Sequence, residues 1–274
     1  MLLDYSYKME LEFSEPVNDQ YFSLICLPRE TARQKPSEPV INIRPEVHVT
    51  LDTDGFGNMK LYGAVFEPHD SFSIKINGKV RTCGSPHEEY EENGSVDLYR
   101  WLAPSDFTAA GPGIRKLFAE KAIQSPDDAY GRALYYAGVV RDVLEYRAGV
   151  TDSRTSAEEA LAKGSGVCQD FAHLYITLLR MAGIPARYTV GLMQGEGESH
   201  AWAEANCNGY WYGIDPTNGL LIDESYIKIS HGRDYRDCMI SRGIFRNPSA
   251  VQTMSVAVSV SSLDDSAVSR DNIG

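Results

Sequence analysis

Only one of the five cysteines in this 274-residue chain has a setting that could make it reactive. Cys168 follows the small, turn-prone run Gly164-Ser165-Gly166-Val167 and opens a stripe at helical spacing: Phe171, Leu174, Tyr175, Leu178, Leu179 and Ala182. Gly183 and Pro185 close that helix. A thiol in the first helical turn meets unpaired backbone N–H groups and the positive end of the helix dipole, which stabilise a thiolate. The same N–H groups can donate to an oxyanion formed when a carbonyl is attacked.

A base for that thiol is supplied by hairpin geometry. Asn208-Gly209 is a two-residue hairpin signal joining strands Ser199 to Cys207 and Tyr210 to Asp215. The resulting register places Ala201, Ala203, Ala205, Cys207, Tyr210, Tyr212 and Ile214 on one face. The other face carries His200, Trp202, Glu204, Asn206, Trp211, Gly213 and Asp215. Asp215 is then diagonal to His200, with centres roughly 7 to 8 Å apart, within reach of a hydrogen bond. Pro216 biases Asp215 toward extended backbone. Cys168, His200 and Asp215 therefore form a nucleophile, a base and an orienting group. A metal site built from the same three residues lacks supporting spacing, and no cofactor is expected.

Other titratable groups carry less. His48, His69 and His87 have no strand or helix partner and read as structural or surface groups, and His173 lies off the reactive side of its helix. Cys207 belongs to the alanine-lined core face. His231, before Gly232-Arg233-Asp234-Tyr235, is harder to dismiss. Gly195-Glu196-Gly197 reads as a loop without the pattern of a phosphate cradle.

The elements that position these residues fall into two groups. Tyr5 to Phe13 alternates strictly, and short strand-like runs follow at Tyr21–Leu27, 47–51, 59–66 and 71–76, punctuated by Asp54-Gly55, Gly57-Asn58 and Asn77-Gly78. We expect an N-terminal antiparallel β-sandwich over residues 1–95. The acidic stretch from Pro86 to Ser95 reads as a solvated connection. Residues 96–274 change grammar to helices near 114–122, 130–146 and 168–182, followed by strands at 186–192, 199–207, 210–215 and 253–260. That order is α+β, with helices ahead of an antiparallel sheet.

Composition narrows the function. Acidic residues outnumber basic ones 38 to 26, a net charge of −12 spread over both halves, which opposes binding to nucleic acid. No apolar run approaches the roughly 20 residues that span a bilayer. The first ten residues have neither a basic nor an apolar signal region, so a cytoplasmic protein without membrane attachment is expected. The odd cysteine count without a C-x-x-C pair argues against a disulfide framework. Oligomeric state is not readable from the sequence.

These residues resemble a known family. Gly164-x-Gly-x-Cys168-Gln169-Asp170-Phe171-Ala172-His173, Arg180-x-x-Gly183-Ile184-Pro185-Ala186-Arg187-Tyr188, Ser199-His200-Ala201-Trp202-Ala203-Glu204 and Gly213-Ile214-Asp215-Pro216-Thr217-Asn218 are similar to the bacterial transglutaminase-like cysteine peptidases. The first domain matches through Pro28-Arg29-Glu30-Thr31 to Gln34 and Asp54-Gly55-Phe56-Gly57-Asn58. Gly232-Arg233-Asp234-Tyr235 also fits, although Tyr226-Ile227-Lys228-Ile229 departs from the His-Ile expected before it. The resemblance implies a papain-like, transglutaminase-like catalytic core with a Cys-His-Asp triad on Cys168, His200 and Asp215. The expected activity is hydrolysis of a peptide or protein amide through a thioester. Two alternatives stand beside it: amine transfer to glutamine, with Trp202 and Trp211 as walls of an amine channel, and a binding module with a vestigial triad.

Overall fold

The computed structural model describes residues 1–85, 87–91 and 96–263. The expected solvated connection falls partly on Pro86 and Glu92–Ser95, which lie outside the described residues, as does the domain boundary near residue 95.

A long first strand organises the β-rich unit. β1 (Leu2–Leu24) buries alternate residues from Leu3 to Phe13, as period-two patterning requires, then shifts register between Glu12 and Val17. Its first half pairs with β6 (His69–Thr82), to which β2 (Gln34–Pro36) and β3 (Val40–Arg44) add. Its second half pairs with β5 (Met59–Val65), which carries β4 (Val49–Thr53). Two antiparallel layers joined through β1 thus enclose one core, including Leu3, Tyr5, Phe22, Leu61, Phe72 and Ile76. The expected turn at Asn77-Gly78 is instead the middle of β6. Gly78 pairs with Tyr5, whose ring lies 2.9 Å from where a Cβ would project, so the glycine makes room for an aromatic rather than for a turn.

After α1 (Val96–Tyr99), the helices are α2 (Pro112–Ala122), α3 (Ala129–Val143), α4 (Ala157–Lys163) and α5 (Cys168–Met181). α3 stops short of its expected end, and β7 (Glu145–Tyr146) pairs in parallel with β8 (Ser165–Gly166). α4 escapes the periodicity reading because it is short. Its Ser156 and Glu159 form a reciprocal capping box, and Gly164, in the left-handed region at φ 65°, ends it. α5 is buried on every side from Asp170 to Arg180, not along one stripe, because α2, α3 and α4 cover what the sheet leaves open. Arg180 is satisfied there by Trp101 O, Thr108 Oγ1, Ala186 O and Arg233 O.

The second sheet contains β9 (Ala186–Met193), β11 (His200–Cys207), β12 (Tyr210–Asp215), β13 (Leu220–Leu221) and β14 (Tyr226–Gly232), in the order β13-β12-β11-β9-β14. The β11–β12 hairpin has the register read from the sequence, with Ala203 opposite Ile214 and Cys207 opposite Tyr210. Asn208 and Gly209 both have positive φ (56° and 92°), as a type I′ turn demands.

Three features differ from expectation. β15 (Ser241–Arg246) and β16 (Gln252–Leu263) do not join this sheet but pair with β1, so both chain ends build the β-rich unit. Gly195-Glu196-Gly197 is not a free loop. It forms β10 (Gly195–Gly197), paired with Val258–Val260 of β16. The acidic stretch is not simply solvated either: Glu88 and Glu91 donate their N–H groups to Trp211 O and Gly209 O, and Glu88 is buried. An exposed backbone edge on β12 recruits that segment despite its charge. Among the described residues, no helix is long and apolar enough to cross a membrane.

Candidate active site

Cys168 is the first residue of α5, and its flanks explain the placement. Gly166 lets the Asp170 carboxylate fold back, since a Cβ there would lie 2.5 Å from Asp170 Oδ2. That oxygen accepts the Val167 N–H at 2.8 Å and the Thr151 hydroxyl at 2.7 Å. Asp170 therefore fixes the start of the helix. By helix geometry the first-turn N–H groups have no partner within the helix, so the Cys168 N–H is oriented for an acceptor. Cys168 is half-buried, while Cys26, Cys207 and Cys238 are buried and Cys83 is exposed. Burial pushes the Cys26 and Cys207 thiols up to about 12.

His200 begins β11 and presents its ring to Cys168. Its Nε2–H donates to Asp215 Oδ2 at 2.7 Å, as the diagonal register predicted, which leaves Nδ1 for the thiol. Burial of the ring favours the neutral form, but the hydrogen bonds from Asp215 and Cys168 and their charges outweigh it and raise His200 from 6.5 to about 9. Asp215 is fully buried, and its remaining acceptor positions are filled. Oδ1 takes the Thr217 and Asn218 N–H groups, and Oδ2 takes Asn218 Nδ2 at 2.7 Å and the Tyr226 hydroxyl at 3.0 Å. Burial opposes its charge, yet His200 and Asn218 more than offset this and hold the carboxyl below its ordinary range.

Sequence reading did not find Tyr226, because β14 carries no alternation: all seven of its residues are buried. The β-rich unit secures this edge strand with two side-chain amides. Gln34 accepts the Lys228 N–H at 2.7 Å and donates to the Lys228 carbonyl, and Asn58 does the same for His231, at 2.9 and 2.8 Å. His231 is thereby a backbone anchor, and its ring is buried. His173 is likewise structural. It stacks on Phe107 at 5.2 Å and accepts the Tyr235 N–H, which holds Tyr235 at the cleft, and burial lowers it to about 3.

The face of β11 that carries His200 and Trp202 also carries Glu204, the centre of a buried ion cluster. Glu204 is hydrogen-bonded to Arg187 Nε and, at 2.7 and 2.8 Å, to Lys228 Nζ. Arg187 also reaches Glu89 at 3.0 Å and lies 4.2 Å over the Trp211 ring. Two cations hold the fully buried Glu204 carboxyl well below its ordinary range against the effect of burial. The shared face of His200, Trp202 and Glu204 was the only sequence signal for it.

Two clefts meet at Cys168 and His200. One, about 280 Å³, runs between β1, β9 and β16; the other, about 490 Å³, passes β10. Trp202 and Trp211 wall neither. Both are fully buried, Trp202 against His200 and Tyr226 and Trp211 against Trp101, so they pack in the interior, and the channel walls that the amine-transfer alternative would have them form are not there. Among the described residues, no group of three or more His, Cys, Asp or Glu is arranged to hold a metal ion.

Comparison with known proteins gives the family and the fold. Residues 116–216 match the transglutaminase-like superfamily, and residues 3–81 match the bacterial transglutaminase-like N-terminal region. An uncharacterized protein of Mycobacterium leprae is 40% identical over 269 residues, covering 92% of this chain and 95% of the relative. One from Mycobacterium tuberculosis is 29% identical over 291 residues, covering 93% and 91%. The fold matches a crystal structure named "a putative cysteine protease" from Cytophaga hutchinsonii with a TM-score of 0.76 at 23% identity, over 96% of this chain and 92% of that one.

Proposed function

We propose that this chain, which belongs to the transglutaminase-like superfamily and carries the bacterial N-terminal region of that group, is a cysteine-dependent hydrolase of peptide or other amide bonds. The observation that carries the reading is the 2.7 Å His200–Asp215 hydrogen bond beside Cys168 at the start of a helix. Cys168 gives its thiol proton to His200 Nδ1, and the sulfur adds to the substrate carbonyl carbon. The Cys168 backbone N–H donates to the developing oxyanion. As the C–N bond breaks, the imidazolium protonates the leaving amine, and a thioester remains on the sulfur. Water then adds to the thioester, giving a proton to Nδ1. The C–S bond breaks, the acid departs, and the sulfur recovers the proton. Asp215 accepts the Nε2–H throughout and stabilises the imidazolium.

Hydrolysis is favoured over amine transfer because transfer requires a site that excludes water. Cys168 is half-buried between two clefts, and the tryptophans that could screen it point into the core. All five cysteines are unpaired, which suits the reducing cytoplasm we assign to it. The test incubates wild type and Cys168→Ala with a glutamine-containing peptide library and a labelled primary amine. Cleavage or deamidation that disappears in Cys168→Ala is expected. Amine incorporation exceeding hydrolysis, or activity that survives the substitution, would overturn the assignment.

A further inference from the structure

Asp215 Oδ2 accepts three hydrogen bonds, from His200 Nε2–H and Asn218 Nδ2–H at 2.7 Å each and from the Tyr226 hydroxyl at 3.0 Å. Orientation of the carboxylate does not require the third, because the Thr217 and Asn218 N–H groups hold Oδ1 and the Asn218 amide holds Oδ2. Packing does not require it either. The Tyr226 ring lies 5.5 Å from the Trp202 ring and packs with Ile222 and Met193, contacts that a phenylalanine ring makes equally well. The hydroxyl sits in a buried residue, where a polar group costs free energy unless paired, and the carboxylate is what it pairs with. Its place is set from outside the sheet that carries His200. β14 is an edge strand, held on its outer side by Gln34 and Asn58 of the β-rich unit.

We propose that Tyr226 is a positioning residue that, acting through Asp215, keeps the His200 imidazolium acidic enough to protonate a leaving amine. This rests on the hydrolase reading above and deepens it by naming what sets the strength of its acid. A donor on a carboxylate offsets part of its charge, so an Asp215 with one donor fewer attracts the imidazolium proton more strongly. A proton held more tightly makes a poorer general acid. Amide cleavage needs that acid: as the C–N bond breaks, its electron pair stays on nitrogen and takes the Nδ1 proton. A p-nitrophenyl ester does not need it, because the C–O bond breaks with its pair on a stable phenolate. Of the other groups facing His200, Cys168 on α5 is in contact and is unaltered by a change at Tyr226. Tyr7 of β1, Tyr146 of β7, Tyr188 of β9, and Tyr235 and Cys238 before β15 are all raised by burial and stay neutral where His200 titrates. Glu196 of β10 and Glu198 lie on the cleft rim and Asp223 lies near Tyr226, so their charges are a constant background.

The closing experiment deletes the oxygen alone, in Tyr226→Phe, and follows His200 by NMR titration of ¹³C-labelled histidine, which requires no substrate. The His200 midpoint should rise by about 0.5 to 1 pH unit, whereas loosening of the Asp215 contact lowers it. Asn218→Ala, at an exposed residue, removes the other side-chain donor to Oδ2 and should raise the midpoint too, so the reasoning is tested even if Tyr226→Phe does not fold. Activity is read on the best-cleaved library peptide and on the p-nitrophenyl ester of its acyl half. In Tyr226→Phe, kcat for the peptide should fall about threefold at unchanged KM, and the alkaline limb of kcat/KM should move up with His200. The ester rate should stay within about twofold, because its leaving group takes no proton. A His200 midpoint that falls or stays in place, or equal losses on peptide and ester, overturns the proposal. The hydrolase reading fails separately, if wild type cleaves neither substrate or if cleavage survives Cys168→Ala, and the titration still decides what Tyr226 does to His200.

Discussion

Replacing Asp215 with asparagine tests the electrostatics of the site directly. The rise of His200 from 6.5 to about 9 corresponds to about 3 kcal/mol in favour of the imidazolium. Burial works against it, so the stabilisation comes from Asp215 and Cys168. Asp215→Asn keeps an acceptor near Nε2 but removes the charge, and the His200 midpoint should fall by at least one pH unit. The measurement is a pH titration of ¹³C-labelled histidine by NMR, with the His200 resonance assigned by its loss in His200→Ala. A raised folded-state pKa contributes stability in full below about pH 6.5, and that contribution is lost as pH rises through about 9. The difference in unfolding free energy between wild type and Asp215→Asn should therefore be larger at pH 6 than at pH 9.5, by at most about 3 kcal/mol. Asp215 itself, held below 3.8, adds stability above that pH that is lost as pH falls beneath it. A wild-type His200 that titrates at or below 6.5, or a midpoint unmoved in the variant, would refute the reasoning.

Two further substitutions probe the support behind the site. Glu204→Gln leaves Arg187 and Lys228 buried without their shared carboxylate and should cost about 3 to 5 kcal/mol in urea unfolding. A loss below about 1 kcal/mol would show that the cluster is solvated or self-sufficient. In Gly191→Ala the added Cβ would lie 2.1 Å from the Ile227 carbonyl and 2.3 Å from the Trp202 ring. It should destabilise by more than about 3 kcal/mol, or yield insoluble protein, and slow Cys168 alkylation by displacing the ring beside His200. Gly138→Ala, with open space around its Cβ in α3, is the contrast and should stabilise by up to about 1 kcal/mol in the same assay.

The parts legible in the sequence were those governed by local rules. The positive-φ turn at Asn208-Gly209 fixed one hairpin register, which placed Asp215 against His200 and the alanines against the core. The breaker run before Cys168 marked the start of α5. Period-two alternation gave β1, because one of its faces is buried and the other is not. Each of these signals lies within about fifteen residues of chain.

What only the tertiary structure decided depends on contacts between distant segments. β16 pairs with β1 rather than with the sheet that carries His200, across some 250 residues, and no alternation within either strand names its neighbour. Gln34 and Asn58 look like ordinary loop amides until β14 offers them unpaired backbone groups. Tyr226 reaches Asp215 only because β14 lies beside β9, and the charges of Glu204, Arg187 and Lys228 become a buried cluster only when three strands align. Sequence spacing determined which residues could react; the packing of the two chain ends around Cys168 determined what surrounds them, since burial and charge are properties of the assembled fold.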